Sequence, residues 1–281
     1  MTYQTLISTE ILAKYINNPN WIIFDCRFSL KNPNTGLEAY QKSHLPNAHY
    51  VHLDNDLSSK ITDQTGRHPL PDFNELANKL GHWGIDQNTQ VVVYDDAGGA
   101  FAGRLWWLLR CLGHHQVALL DGGFNQWLKE QRELTATLPK LEDKNFHASL
   151  NTSFWLSTEQ IETALKTQSI QLLDARTPER FRGEQEPIDS IAGHIPGALN
   201  RAFQSNLNAD GKFLSATILR QQFTQVLGDQ KSEKIVHMCG SGVTACHNFL
   251  AMEIAGLHGS RLYPGSWSEW IRDKNRPIVK Q

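Results

Sequence analysis

The chain has 281 residues, with 27 basic against 29 acidic side chains and 40% hydrophobic residues. That length suits two domains of about 140 residues better than one ordinary single-core domain. The near-balance of charge argues against a nucleic-acid binder, and the apolar content argues against wholesale disorder. No uninterrupted apolar run approaches the ~20 residues of a membrane span. Four scattered cysteines (Cys26, Cys111, Cys239 and Cys246) form no CxxC pair. They suit a reducing, cytoplasmic setting better than a disulfide framework, and they supply no metal site.

In chain order, Met1 to Glu10 carries no basic cluster followed by an apolar stretch, so no signal peptide is expected. Ser8-Thr9-Glu10 reads as an N-cap opening a short amphipathic helix from Ile11 to Ile16. Trp21 to Arg27 reads as a buried strand ending in Asp25-x-Arg27, and His44-Leu45-Pro46-Asn47-Ala48 as a turn. Val91 to Asp95 reads as a second strand, followed by the loop Asp95-Asp96-Ala97-Gly98-Gly99-Ala100. Asp95 and Asp96 are expected to be solvated loop carboxylates. Trp106 and Trp107 are expected to pack helix against sheet, and Asp121-Gly122-Gly123 with Trp127 closes the half.

The same series then returns at an offset of about 150 residues. Ser157-Thr158-Glu159 opens a helix over Ile161 to Leu165, Ile170 to Arg176 ends in Asp174-x-Arg176, and His194-Ile195-Pro196-Gly197-Ala198 repeats the turn. Lys234 to Cys239 answers the second strand, and Pro264-Gly265-Ser266 with Trp270 answers the close. Each half therefore reads helix, strand, loop, helix, strand, helix, strand, helix. That alternation, with near-continuous apolar strands, predicts an α/β fold with a parallel sheet covered on both faces. Pro139 to Asn151, with its charged run Lys140 to Lys144, reads as the connection. The expected division is a domain over 1–140, a linker over 141–152 and a domain over 153–281.

The second half runs from strand Ile235–Met238 into Cys239-Gly240-Ser241-Gly242-Val243-Thr244-Ala245, and a helical pattern then ends at Gly256. Ligands of open α/β sheets sit at the carboxyl ends of strands, where this cysteine falls. Glycines at +1 and +3 permit a tight loop whose N–H groups converge on an anion, a setting that makes a thiolate nucleophile. A free cysteine is more often an inert core residue, and Cys26, Cys111 and Cys246 are read so. The glycines and the helix start behind it set Cys239 apart.

This loop resembles the active-site loop of the 3-mercaptopyruvate sulfurtransferases, within the two-domain rhodanese family. The resemblance extends to both Asp-x-Arg strands, both HxPxA turns, Arg180-Phe181-Arg182-Gly183 and Gly265 to Trp270. It implies two tandem rhodanese-like domains, the first inactive because Asp95 stands where the repeat expects the cysteine. It also implies a two-step relay, in which Cys239 takes sulfur from a donor as a persulfide and an acceptor removes it, with no metal or organic cofactor. The acceptor is a thiol, such as that of thioredoxin, or cyanide. Gly240, Gly242, Val243 and Thr244 belong to the donor-binding loop. Ser241 matches the loop serine that acts with a histidine and an acidic residue, for which His68 and Asp54 are the matches. Arg180 matches the arginine that holds the donor's carboxylate or sulfonate, and Arg182 is read as rim or structural.

One departure bears on the donor. A second arginine is expected in a Glu-Pro-Arg stretch, where this chain has Glu186-Pro187-Ile188. Arg67, beside His68, is the candidate substitute. The neutral Gly240 and Ser241 favour mercaptopyruvate over the dianion thiosulfate, which stays as the alternative. A slow sulfur carrier or interaction module is a further alternative. A Cys-x5-Arg phosphatase is disfavoured by Ala245, and a dinucleotide enzyme by the lack of GxGxxG after an early strand.

Overall fold

The computed structural model describes residues 2–140 and 142–280. Met1, Leu141 (first residue of the expected linker) and Gln281 lie outside the described residues. The chain parts into two compact units. The first comprises Met1–Ser59, Leu70–Asn151 and Ala209–Phe213; the second comprises Lys60–Pro69, Thr152–Asn208 and Leu214–Gln281.

The first unit holds a five-stranded sheet of β1 (Leu6–Ile7), β2 (Trp21–Asp25), β3 (Ala48–Tyr50), β4 (Gln90–Tyr94) and β5 (Val117–Leu120), in the order β1-β5-β4-β2-β3. The second holds a four-stranded sheet of β6 (Gln171–Asp174), β7 (Leu199–Asn200), β8 (Ile235–Met238) and β9 (Arg261–Leu262), in the order β7-β6-β8-β9. Every strand pair is parallel, so the chain returns between strands through crossover connections, with helices flanking each sheet. The apolar runs of the sequence become the sheet centres: all of β4 is buried, and so is all of β8. Parallel strands covered on both faces need that unbroken apolarity.

The repeat is physical. Ser8 caps helix Thr9–Tyr15 by accepting the Ile11 N–H, and Ser157 caps helix Thr158–Lys166 in a full capping box with Gln160. In both halves the Asp-x-Arg strand end folds the arginine back onto the aspartate: Arg27 Nη2 lies 2.6 Å from Asp25 and Arg176 Nη2 lies 2.7 Å from Asp174. Trp106 and Trp107 are fully buried, as the packing reading expected, and Trp267 and Trp270 in the second unit are buried as well. Cys26, Cys111 and Cys246 are buried free thiols; burial pushes the Cys26 thiol well up, with Asp25 adding to it.

Two features depart from the sequence reading. The edge strands β1, β3 and β7 were not expected; Leu6–Ile7 pairs with Leu119–Leu120 just before the Ser8 cap. Asp95 is not a solvated carboxylate but 1% exposed, whereas Asp96 is exposed. The reason is the loop that follows β4. The N–H groups of Ala97 and Gly99 donate to Asp95 Oδ1, and those of Phe101 and Ala102 to Oδ2, all at 2.8–2.9 Å. Four converging amide dipoles make burial of a carboxylate tolerable, although desolvation still pushes its pKa up.

Candidate active site

In the second unit, β8 delivers Cys239 at its carboxyl end, where the residue is 2% exposed. The loop is fastened to the start of helix Ser266–Trp270. Cys239 N–H donates to Ser266 Oγ at 3.1 Å, the Cys239 carbonyl accepts from Trp267 at 3.0 Å, and the Gly240 carbonyl accepts from Ser268 at 2.8 Å. Gly242 lies at φ +74°, and a Cβ there would sit 2.3 Å from the Pro264 carbonyl oxygen, so only glycine fits. Cys246, on the first turn of helix Ala245–Ile254, donates its thiol to the Gly242 carbonyl at 3.3 Å.

The two units carry loops at corresponding strand ends, after β4 and after β8, with different use of their amides. In the first, the amides at the second, fourth, sixth and seventh positions after Asp95 all point at its carboxylate. In the second, the N–H groups of Gly240, Ser241, Val243 and Thr244 have no acceptor among the described residues. The cradle after Cys239 keeps donors to spare, which is what a loop that receives an anion requires.

Around the loop, residues 60–69 pack as part of the second unit. The segment is pinned by Gly66 N–H to Glu269, Arg67 N–H to Ser268 Oγ at 3.1 Å, and Arg272 Nε to the Thr65 carbonyl at 3.0 Å. That brings His68, 4% exposed, against Ser241, 5% exposed, with 2.7 Å between His68 Nδ1 and Ser241 Oγ. Asp54 belongs to the first unit, in the helical turn Leu53–Asp56, where its N–H donates to His52 Nδ1.

Arg67 and Arg180 both face Gly240. A Cβ at Gly240 would lie 2.8 Å from Arg67 Nη2 and 3.5 Å from Arg180 Nη2. Arg180 is held by Glu186 through Nε and Nη2, and its Nη2 also donates to Asp189 at 3.1 Å. Arg67 Nη1 donates to the other oxygen of Asp189. The turn 186–189 folds on Glu186, which accepts the N–H groups of Ile188 and Asp189. Burial works to raise the Glu186 pKa, but Arg180 and those N–H groups bring it below the ordinary range. Ile188 is 43% exposed, and Arg182 pairs at the rim with Glu184.

Sequence reasoning missed Glu186 and Asp189. Their only local signal was two acidic residues astride Pro187-Ile188, six and nine positions after Arg180. Among the described residues, no group of three or more His, Cys, Asp or Glu side chains is placed to hold a metal ion. None of the described helices is long and apolar enough to cross a membrane.

Comparison with known proteins agrees with this architecture. A family model described as the rhodanese-like domain matches residues 8–130 and again 157–273. The chain is 46% identical over 281 residues to a protein of Pseudomonas aeruginosa named "Probable 3-mercaptopyruvate sulfurtransferase", covering 99% of each. It is 34% identical over 279 residues to the thiosulfate sulfurtransferase of Rattus norvegicus, covering 96% of this chain and 93% of that one. Among solved structures, the 3-mercaptopyruvate sulfurtransferase from Leishmania major matches with a TM-score of 0.80 at 31% identity, over 95% of this chain and 74% of that one.

Proposed function

Because this chain belongs to the rhodanese family, with the domain in two tandem copies, we propose that it moves sulfur from 3-mercaptopyruvate to a thiol or cyanide through Cys239. The observation that carries this reading is the Cys239 loop: a cysteine at the carboxyl end of β8, beside backbone donors that have no acceptor among the described residues.

The Cys239 thiolate attacks the sulfur of 3-mercaptopyruvate. The new S–S bond takes the electron pair of the thiolate, and the C–S bond of mercaptopyruvate breaks toward the enolate of pyruvate. That enolate needs a proton, and the Ser241–His68 pair at 2.7 Å is the group placed to deliver it. The loop amides stabilise the negative charge, first on the thiolate and then on the persulfide. A thiolate acceptor, as in thioredoxin, or cyanide then removes the outer sulfur and restores Cys239. Arg180 and Arg67, facing Gly240, hold the donor's carboxylate. Asp54 enters the proton relay only through the family resemblance. The first unit, with Asp95 in the cysteine's place, is non-catalytic, because a carboxylate accepts no sulfur. Four free cysteines suit the cytoplasm as the site of action.

Ile188, exposed where a second arginine is expected, favours thiosulfate as the alternative donor, with sulfite leaving in place of the enolate. The test is kcat/KM for 3-mercaptopyruvate and for thiosulfate with one common acceptor, in wild type and Cys239→Ser. A preference for mercaptopyruvate and loss of turnover in the variant are expected. Turnover by Cys239→Ser above about 1% of wild type would overturn the mechanism, since a serine hydroxyl is a far weaker nucleophile at neutral pH.

A further inference from the structure

Asp189 takes part in none of the steps above, yet it sits at the donor site. Its side chain is 4% exposed. One oxygen accepts from Arg67 and the other from Arg180, the two guanidinium groups that face Gly240, next in sequence to Cys239. An incoming carboxylate bound between these arginines would meet a carboxylate already there.

The charge of the cluster is also closed. Arg67, Arg176 and Arg180 face Asp174, Glu186 and Asp189, three positive against three negative. Hydrogen-bonding capacity is not closed. Arg67 Nε is buried without a partner, and Arg67 Nη2 and Arg180 Nη1 have no acceptor among the described residues. The site therefore has donors aimed toward the loop but no net charge for drawing an anion in.

We propose that Asp189 is a built-in anion that bridges Arg67 and Arg180, competes with the donor's anionic group, and so sets the charge selectivity of the donor site. The inference rests on the sulfurtransferase reading. A donor with one negative charge pays the opposition of Asp189 once; a dianion pays it twice, because Coulomb energy is linear in ligand charge. Asp189 thereby disfavours thiosulfate without any residue excluding it by shape. Three arginines and Glu186 face the Asp189 carboxyl, and burial outweighs the arginines to hold its pKa above the ordinary range.

The test measures KM and kcat for 3-mercaptopyruvate and thiosulfate, with a common acceptor, in the full chain and in Asp189→Asn, Asp189→Ser and Asp189→Glu. Loss of the charge is expected to lower KM about fivefold for mercaptopyruvate and about 25-fold for thiosulfate, with kcat moving less than KM. Asp189→Glu, which keeps the charge, should keep the wild-type ratio of the two KM values. The same variants in a Cys239→Ser background are titrated calorimetrically with pyruvate, a monoanion, and with sulfate, a dianion. There the dianion should again gain about the square of the monoanion's factor. That arm needs no turnover, so a chain inactive with both donors would refute the sulfurtransferase reading while the binding ratio still judged Asp189. The idea is overturned if both anions gain equally, if binding weakens on loss of the charge, or if Asp189→Glu behaves like Asp189→Asn.

Discussion

The hydrogen bond between Ser241 and His68 makes a donor-dependent prediction. Both side chains are buried, and the 2.7 Å contact joins residues 173 positions apart. Removing either partner leaves the other buried and short of a hydrogen bond, a structural cost of about 1–3 kcal/mol. If the pair protonates the departing enolate, its loss costs turnover with mercaptopyruvate about 100-fold or more, or ~2.7 kcal/mol in the barrier. Sulfite, the leaving group of thiosulfate, is a stable anion at neutral pH and needs no proton. Turnover with thiosulfate should fall less than about fivefold, which reflects only the disturbed loop. The assay is steady-state kinetics of Ser241→Ala, His68→Gln and the double variant with both donors and one acceptor. With mercaptopyruvate the double variant should be little worse than either single one, because the two residues act as one unit. Equal losses with both donors, or losses that multiply in the double variant, would refute the proton-relay role.

Two further predictions concern the loops themselves. Asp95→Ala strips the acceptor from four N–H groups and should cost about 4 kcal/mol, read as a lower denaturation midpoint for the first unit in urea, whereas a loss under about 1 kcal/mol would mean that water replaces the carboxylate at no cost. Gly242→Ala places a Cβ 2.3 Å from the Pro264 carbonyl at φ +74°; turnover should drop at least about 100-fold while the far-ultraviolet circular dichroism of the chain is kept, and near-wild-type kinetics would show that the loop yields.

Most of the fold was legible because it repeats. The Ser8 and Ser157 caps, the Asp-x-Arg strand ends and the apolar runs of β4 and β8 are local patterns with local causes. The edge strands were not legible. β1 and β7 are two residues each and β3 is three, so their pairing comes from the neighbouring backbone rather than from any period of their own. Asp95 was misread because composition says loop carboxylate, whereas its burial depends on where later N–H groups point. In the candidate site, Cys239 carried its own signal in the flanking glycines. His68 had none beyond the family likeness, since its partner Ser241 is set by the packing of residues 60–69 into the second unit. Asp189 had only its place beside Pro187-Ile188: a carboxylate between two arginines from separate segments is a fact of three dimensions.

The two loops together explain why one template serves two ends. An aspartate places its charged oxygen three bonds from Cα, and a cysteine persulfide places its outer sulfur three bonds from Cα as well. On the sulfurtransferase reading, the Asp95 carboxylate and the Cys239 persulfide thus reach equally far from the backbone into the loops that follow their strands. Two amides hold each oxygen of the Asp95 carboxylate at 2.8–2.9 Å; a sulfur anion, larger and more diffuse, sits farther out and is held less tightly by each. The difference is functional. A carboxylate satisfies its cradle permanently and leaves nothing to transfer. The Cys239 loop keeps the amides of Gly240, Ser241, Val243 and Thr244 without an acceptor among the described residues. On that reading, the stabilisation that the first loop commits to folding is left in the second for the sulfur relay, where preorganised donors meet the charge on the thiolate and then on the persulfide without rearranging.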